Sequence, residues 1–157
     1  GRELGSGTDF RVGVALNPTN ADLAAEAARL REKVEAGADF AQTQPVFTRE
    51  DVERFLDAVG TPAIPVLYGV LPLRSVKMAQ NVSKWARVPD ALLRAVEDGG
   101  ARAGTLWSAR LLDDLRDLGV PGAHLYPLGK PAVVRDVLGR ADVPGPNDRT
   151  SAHATLS

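Results

Sequence analysis

The sequence predicts an α/β protein in which four strand–helix units follow one another, as in half of a (βα)₈ barrel of the TIM type. Short apolar β-like runs alternate with amphipathic helical segments through residues 10–140. Strands and helices that alternate in this way pair in parallel through right-handed crossovers. A complete barrel has eight such units in about 250 residues, so the four units of this chain correspond to half of one.

A small doubly wound open sheet is the main alternative fold. That fold usually carries a glycine-rich phosphate loop after its first strand. Neither GxGxxG nor GxxxxGK[ST] occurs in the sequence. The missing loop favours the half-barrel.

The first unit begins with a strand predicted over residues 10–16, which ends at the turn signal Asn17-Pro18. Thr19, with Asp22 three residues later, resembles a capping box and predicts the start of a helix. One face of that helix carries the apolar residues Leu23, Ala27, Leu30 and Val34. Gly37 is a natural terminator.

The second and third units repeat this order. A short strand is predicted over residues 39–43 and is closed by Gln44-Pro45, and a helix capped by Thr48 runs to Gly60. The third strand covers residues 64–70, a near-continuous apolar run typical of a strand buried on both faces.

The rest of the chain supplies three further helices, the last strand and a closing helix. The helices are predicted over residues 75–85, 89–97 and 103–118, the strand over 123–128 and the final helix over 131–138. Residues 1–9 and 141–157 are rich in Gly, Pro, Ser and Thr. We therefore expect residues 1–9 to be disordered or a linker and residues 141–157 to be a disordered tail.

Composition excludes several classes of function. Nineteen basic and 20 acidic residues give a net charge of −1, without the basic excess of a nucleic-acid binder. No apolar run approaches the roughly 20 residues of a membrane helix. The chain has no Cys and two His, which argues against thiolate chemistry and a histidine zinc site.

We expect a cytoplasmic protein. Because the chain lacks an initial Met, we also expect position 1 to lie within a longer polypeptide.

Functional groups of parallel α/β folds cluster where the strands end. Gln44 stands at such an end, and its planar amide can pair with the edge of a heterocycle. The commoner role at such a position is a bond to neighbouring backbone. No Ser/His/Asp set and no metal-ligand cluster is apparent. His124 is typical of a satisfied core histidine, and Trp85 and Trp107 are typical of packing.

Each of three basic side chains could have either of two roles. Lys33 and Arg29 share a strip of the first helix, where they can reach a phosphate at the mouth of the barrel or remain solvated and paired with carboxylates. Lys130, in a Gly-Lys-Pro turn, can neutralise a ligand carboxylate or be a solvated loop charge.

Residues 30–47, LREKVEAGADFAQTQPVF, resemble the methylenetetrahydrofolate reductase signature L-K-x-K-V-x-A-G-A-x-x-x-x-T-Q-x-x-F. The flanking pieces VALNP and IPVLYGVLPL occur in the same order as in that family. Residues 122–128, GAHLYPL, resemble its G-x-H-F-Y-x-L strand. The similarity spans residues 10–138.

The resemblance implies a flavin-dependent (βα)₈ barrel, of which these four units are strands five to eight. Such enzymes pass a hydride from NAD(P)H to FAD and then to methylenetetrahydrofolate, giving 5-methyltetrahydrofolate. By matching position, Lys33, Arg29, Glu26 and Asn17 would bind FAD.

The resemblance also implies which residues bind the folate substrate. Gln44 would hydrogen-bond the pterin ring, and Lys130 would replace a family arginine near the folate tail. Met78 departs from a glutamine found near the substrate in some members.

The family's catalytic glutamate and its flavin-holding Thr and Asp belong to the first half of the barrel. Nothing in this sequence corresponds to them, so we expect the isolated chain to be inactive. We expect it to work with a missing N-terminal half or as a homo-oligomer. The alternatives are a non-catalytic folate- or flavin-binding chain and a purely structural half-barrel.

Overall fold

The structure, a computed structural model, describes residues 9–142. Strands and helices alternate along the chain. The strands are β1 (Gly13–Leu16), β2 (Phe40–Val46), β3 (Val66–Val70) and β4 (Gly122–Leu125). The helices are α1 (Leu23–Glu35), α2 (Arg49–Val59), α3 (Val76–Val82), α4 (Asp90–Asp117) and α5 (Pro131–Leu138).

The four strands form one parallel sheet in the order β1-β2-β3-β4. Right-handed crossovers between strands in consecutive order place the connecting helices on one face of a sheet. The helices accordingly contact one another in series, α1 with α2, α2 with α4, and α4 with α5. A doubly wound sheet would reverse its strand order. The α/β class and the parallel pairing are therefore confirmed, in an order compatible with part of a barrel wall.

Two apolar clusters fix the helices on the sheet. The larger lies between sheet and helices, where Tyr68 and Val70 of β3 meet Phe55 of α2 and Leu112 and Leu115 of α4. The smaller is formed by Phe47, Leu71, Leu73, Ala79, Val82, Ala86, Leu92 and Val96. Phe47 and Leu71 directly follow β2 and β3, so the second cluster holds α3 and the first part of α4 near the carboxyl ends of these strands.

The first unit differs from its prediction at two points. β1 begins at Gly13 rather than residue 10, because the Asp39 carboxylate accepts the Val12 N–H at 2.7 Å and an Arg11 N–H at 3.0 Å. The cap of α1 is Asp22, which accepts from Ala25 N at 2.8 Å. Thr19 instead donates through its N–H and its hydroxyl to Asn17 Oδ1.

Two strands end at other residues than predicted. β2 continues through Pro45 to Val46, where the sequence predicted an end at residue 43. β4 stops at Leu125 rather than residue 128, because Pro127–Lys130 form a turn in which Lys130 N donates to Pro127 O at 2.8 Å. β3 begins at Val66 instead of residue 64.

The two helices predicted over residues 89–97 and 103–118 both occur within α4, and they are separated by a kink at Gly100, whose φ of 56° and ψ of −144° are not helical. Pro89 stands at its N-cap rather than at its first helical position. A Cβ atom at Gly104 would lie 1.7 Å from the Leu73 carbonyl oxygen. The absence of a side chain there lets α4 rest on the segment after β3.

The expected linker and tail lie largely outside the described residues. Ala141 and Asp142, expected to belong to the tail, are described. Asp142 N donates to Asp113 Oδ1 of α4 at 2.8 Å. None of the helices within residues 9–142 has the length and apolar character needed to cross a membrane.

Candidate functional site

A cavity of about 530 Å³ opens beside the carboxyl ends of β2, β3 and β4. Gln44 and Pro45 reach it from β2, Leu71 from the segment after β3, and Tyr126 from the segment after β4. Most of the lining is apolar. The remaining lining residues are Ser75, Lys77, Met78, Asn81, Val82, Trp85 and Leu128.

Gln44 is exposed on this cavity, between the buried residues Thr43 and Pro45. Its backbone carbonyl accepts from the Thr43 hydroxyl at 2.7 Å. No hydrogen bond within the described part of the chain uses its side-chain amide. The amide is thus available to a ligand and does not bond neighbouring backbone.

An irregularity in β2 accounts for the position of Gln44. The register with β3 shifts between Gln42 and Pro45, so β2 carries one extra residue at this point. We call Thr43 and Gln44 the β2 bulge. The Thr43 hydroxyl accepts the Gly69 N–H at 2.9 Å, the type of backbone donor that a carbonyl of β2 would otherwise receive. Bulges of this kind often redirect a side chain next to an active site.

The Thr43 carbonyl points instead to side chains of the fourth unit. The Tyr126 hydroxyl donates to it at 3.1 Å, and His124 Nε2 lies 3.0 Å from it. A carbonyl oxygen only accepts, so the contact assigns the imidazole hydrogen to Nε2. His124 is half-buried and bonded, as predicted. Burial raises the pKa of Tyr126, which keeps the phenol protonated as a donor.

The two tryptophans differ. Trp107 packs against the smaller apolar cluster and donates through Nε1 to Phe47 O at 2.7 Å, as predicted. Trp85 was expected to pack but is 54% exposed and lines the cavity. Helical spacing alone does not distinguish a tryptophan that faces the core from one beside a cavity.

Sequence reasoning also missed Lys77 and Leu128. Lys77 is the one charged side chain among the described residues that line the cavity. Leu128, 53% exposed on the cavity, has φ of 43° in the turn after β4. A leucine in this region is strained, and such strain often accompanies function. Met78, the departure from the family pattern, also lies on the cavity wall.

The residues predicted to contact a flavin form a second group, along α1 and the end of β1. The Glu26 carboxylate, 4% exposed, accepts from Asn17 N at 2.8 Å and from Arg29 at 3.1 Å. Lys33 Nζ donates to the Ala15 carbonyl of β1 at 2.6 Å. The structure therefore brings Asn17, Glu26 and Arg29 together. Neither these three residues nor Lys33 lines the cavity.

The Glu26 carboxyl remains ionised in spite of its burial. Burial by itself would raise its pKa. Hydrogen bonds from Asn17, Asn20 and Arg29, together with the positive charge of Lys33, outweigh this effect and lower the pKa below the usual range. The arrangement fixes the loop after β1 on the first turn of α1.

Lys130 lies apart from the cavity lining. It is exposed and stands at the N-cap position of α5, two residues beyond Leu128. Within residues 9–142, no group of three or more His, Asp or Glu side chains could hold a metal ion.

Comparisons with known proteins match most of the chain. The methylenetetrahydrofolate reductase family model matches residues 4–142. A probable methylenetetrahydrofolate reductase (NADPH) from Caenorhabditis elegans is 27% identical over 120 residues. That match covers 69% of this chain and 18% of the worm protein, so the chain spans less than a fifth of that relative.

A solved structure shares the fold. An uncharacterized protein from Clostridium thermocellum, which binds two copies of 5-methyl-5,6,7,8-tetrahydrofolic acid, superimposes with a TM-score of 0.61 at 18% identity. The likeness covers 84% of this chain and 52% of the clostridial one. Since the family match extends over most of the sequence, this chain belongs to the methylenetetrahydrofolate reductase family.

Proposed function

We propose that this chain forms the folate-binding wall of a methylenetetrahydrofolate reductase, which reduces 5,10-methylenetetrahydrofolate to 5-methyltetrahydrofolate with NAD(P)H and FAD. The observation that carries the proposal is the Gln44 amide, which is exposed on a cavity of about 530 Å³ where the parallel strands end. Ligands of parallel α/β folds bind at that end.

The cavity offers the chemistry that a folate needs. The Gln44 amide presents an acceptor and two N–H donors in one plane, which suits the edge of a pterin. Trp85 and Leu128 supply apolar surface for the rings, and the Lys77 ammonium supplies a positive charge for the glutamate carboxylates. The folate bound by the clostridial structural neighbour supports this class of ligand.

Some of the side chains along α1 have the chemistry needed to bind FAD. Arg29 and Lys33 are cations of the kind that bind phosphate, and the side chains of Asn17 and Asn20 can meet hydroxyl groups. When bound there, FAD would supply the redox chemistry that links NAD(P)H to the folate. Within this chain, Glu26 would hold Arg29 and the β1–α1 loop in place for that binding.

Titration of 5-methyltetrahydrofolate into the protein tests the proposal. Gln44→Ala removes the amide and leaves polar groups of the pterin unpaired, which costs about 1–3 kcal/mol. We therefore expect the Kd to rise about tenfold to a hundredfold. Gln42→Ala is the matched control, because Gln42 is exposed on the same strand but lies outside the cavity lining. Its Kd should stay within about twofold of the wild type.

Two results would contradict the proposal. One is the absence of measurable folate binding by the wild-type protein. The other is an equal effect of the two substitutions, which would assign Gln44 a general structural role.

A second candidate function is folate binding without catalysis. It is favoured by one observation: among the described residues that line the cavity, none is Asp or Glu, so the lining holds no carboxylic acid to donate a proton. An NAD(P)H-dependent reductase assay with 5,10-methylenetetrahydrofolate distinguishes the two functions when the chain is combined with a barrel half that carries a carboxylic acid. Turnover of the folate in this combination supports the reductase, whereas folate binding without turnover supports the second function.

A further inference from the structure

Polar groups of three distant residues, the backbone N–H of Gly69 and the side chains of His124 and Tyr126, converge on Thr43 of the β2 bulge. The Thr43 hydroxyl accepts the Gly69 N–H at 2.9 Å, and the Thr43 carbonyl receives Tyr126 at 3.1 Å and His124 at 3.0 Å. Tyr126 and His124 lie 83 and 81 residues further along the chain. Thr43 itself is buried, so these bonds replace water at both of its oxygen atoms.

The absence of a side chain at Gly69 allows Tyr126 and His124 to reach the Thr43 carbonyl. Tyr126 and His124 belong to the fourth unit, and β3 lies between β4 and β2. A Cβ atom at position 69 would stand 2.7 Å from the Thr43 carbonyl and 2.9 Å from Cε2 of Tyr126. With glycine there, the two side chains pass over β3 and reach β2.

The bonds determine the direction of Gln44. In a regular strand, the Thr43 carbonyl would lie in the plane of the sheet and bond the next strand. Here the hydroxyl takes over that bond, while Tyr126 and His124 hold the carbonyl in its rotated position. The Gln44 side chain follows directly on this peptide and faces the cavity.

We infer that Tyr126 and His124 are positioning residues that act through the Thr43 carbonyl to hold the Gln44 amide toward the folate ring. The inference rests on the proposed function and adds to it a specific role for the H-x-Y segment. Tyr126 also lines the cavity, so a test has to separate positioning of Gln44 from direct contact with the ligand.

A double-mutant cycle with 5-methyltetrahydrofolate makes this separation. Tyr126→Phe should raise the Kd about fivefold, the effect of one hydrogen bond. In a Gln44→Ala background the same change should raise it less than about twofold, because the amide that Tyr126 positions is gone. Tyr68→Phe is the matched control. Tyr68 lies in the core against Phe55, and its hydroxyl has no hydrogen-bond partner within the described residues.

Thr43 provides a second, independent pair of variants. Thr43→Val removes the hydroxyl that receives Gly69 N–H and should weaken folate binding, while Thr43→Ser should restore it. In the ligand-free protein, the side-chain amide signal of Gln44 in ¹⁵N–¹H spectra should shift in Tyr126→Phe and remain unchanged in Tyr68→Phe. This last measurement needs no folate and still applies if Thr43→Val does not fold.

The outcomes are distinguishable. If Gln44→Ala weakens binding but Tyr126→Phe adds the same factor in both backgrounds, Tyr126 contacts the ligand itself and the positioning role is wrong. An unchanged Gln44 amide signal in Tyr126→Phe also overturns it. If the wild type binds no folate, or Gln44→Ala binds as the wild type does, the proposed function fails and this inference fails with it.

Discussion

At the scale of single residues, the positive charge that lines the cavity belongs to Lys77 and not to Lys130. Lys77 lines the cavity, whereas Lys130 is exposed at the start of α5. A lysine beside a carboxylate in a partly exposed site contributes about 1 kcal/mol. Lys77→Ala should therefore raise the Kd for 5-methyltetrahydrofolate about fivefold in dilute buffer, and less in high salt.

Lys130→Ala is the natural comparison in the same titration. We expect its effect to be smaller than that of Lys77→Ala. A larger effect of Lys130→Ala would move the folate tail toward α5, as the family resemblance implies, and would contradict the role given to Lys77.

Glu26 predicts a dependence of stability on pH. Its pKa is lowered in the folded protein, so its contribution is complete above the ordinary value of about 4.3 and is lost as the pH falls through the lower folded value. Glu26→Gln should lower the free energy of unfolding by about 1–3 kcal/mol near neutral pH.

Urea denaturation at a series of pH values measures this effect. The difference in stability between the wild type and Glu26→Gln should shrink toward acidic pH, because the wild-type carboxyl becomes protonated. A difference that stays constant from about pH 7 to about pH 3 would show that the charge of Glu26 does not contribute.

The sequence predicted some of these residues and missed others for a physical reason. Gln44 was identified because it follows a strand-like run, and position at a strand end can be read locally. Thr43 and Tyr126 act through a bond between residues 83 positions apart. Lys77 and Trp85 line the cavity because α3 and the residues after it pack against the first part of α4, and this orientation depends on tertiary packing.

At the scale of secondary-structure elements, α4 packs closely on the segment after β3, at Leu73. Gly104 is buried, and a methyl group there would overlap the Leu73 carbonyl. Gly104→Ala should therefore destabilise the protein by about 1–3 kcal/mol, although alanine favours helix.

Thermal or chemical denaturation checks this prediction. Arg110→Ala, an exposed change on the same helix, should alter stability by no more than about 0.5 kcal/mol. An equal or greater stability of Gly104→Ala would mean that α4 does not rest on Leu73 as closely as described.

Most of the elements themselves were predictable, because alternation of apolar runs with amphipathic segments is a local property. All four strands and the helices after them occur where the sequence placed them, with shifts at their ends. Pro45 suggested the end of β2, but β2 continues past it. Proline lacks the N–H that a ladder uses, and this position falls at the shifted register.

At the scale of the whole molecule, the chain spans about half of the clostridial structure and less than a fifth of the worm relative. Within the described residues, β1 and β4 each pair on one side only. Unpaired strand edges favour association with another chain segment. We therefore predict association with a partner half or a second copy, and the family resemblance predicts FAD and NAD(P)H.

The central claim is that the cavity at the strand ends binds folate through Gln44, and a crystal structure of the chain with 5-methyltetrahydrofolate tests it most directly. We predict the pterin edge within about 2.7–3.2 Å of the Gln44 amide and the glutamate moiety on the side of Lys77. A folate bound instead beside Lys33 and Arg29, with no ligand at Gln44, would contradict the account.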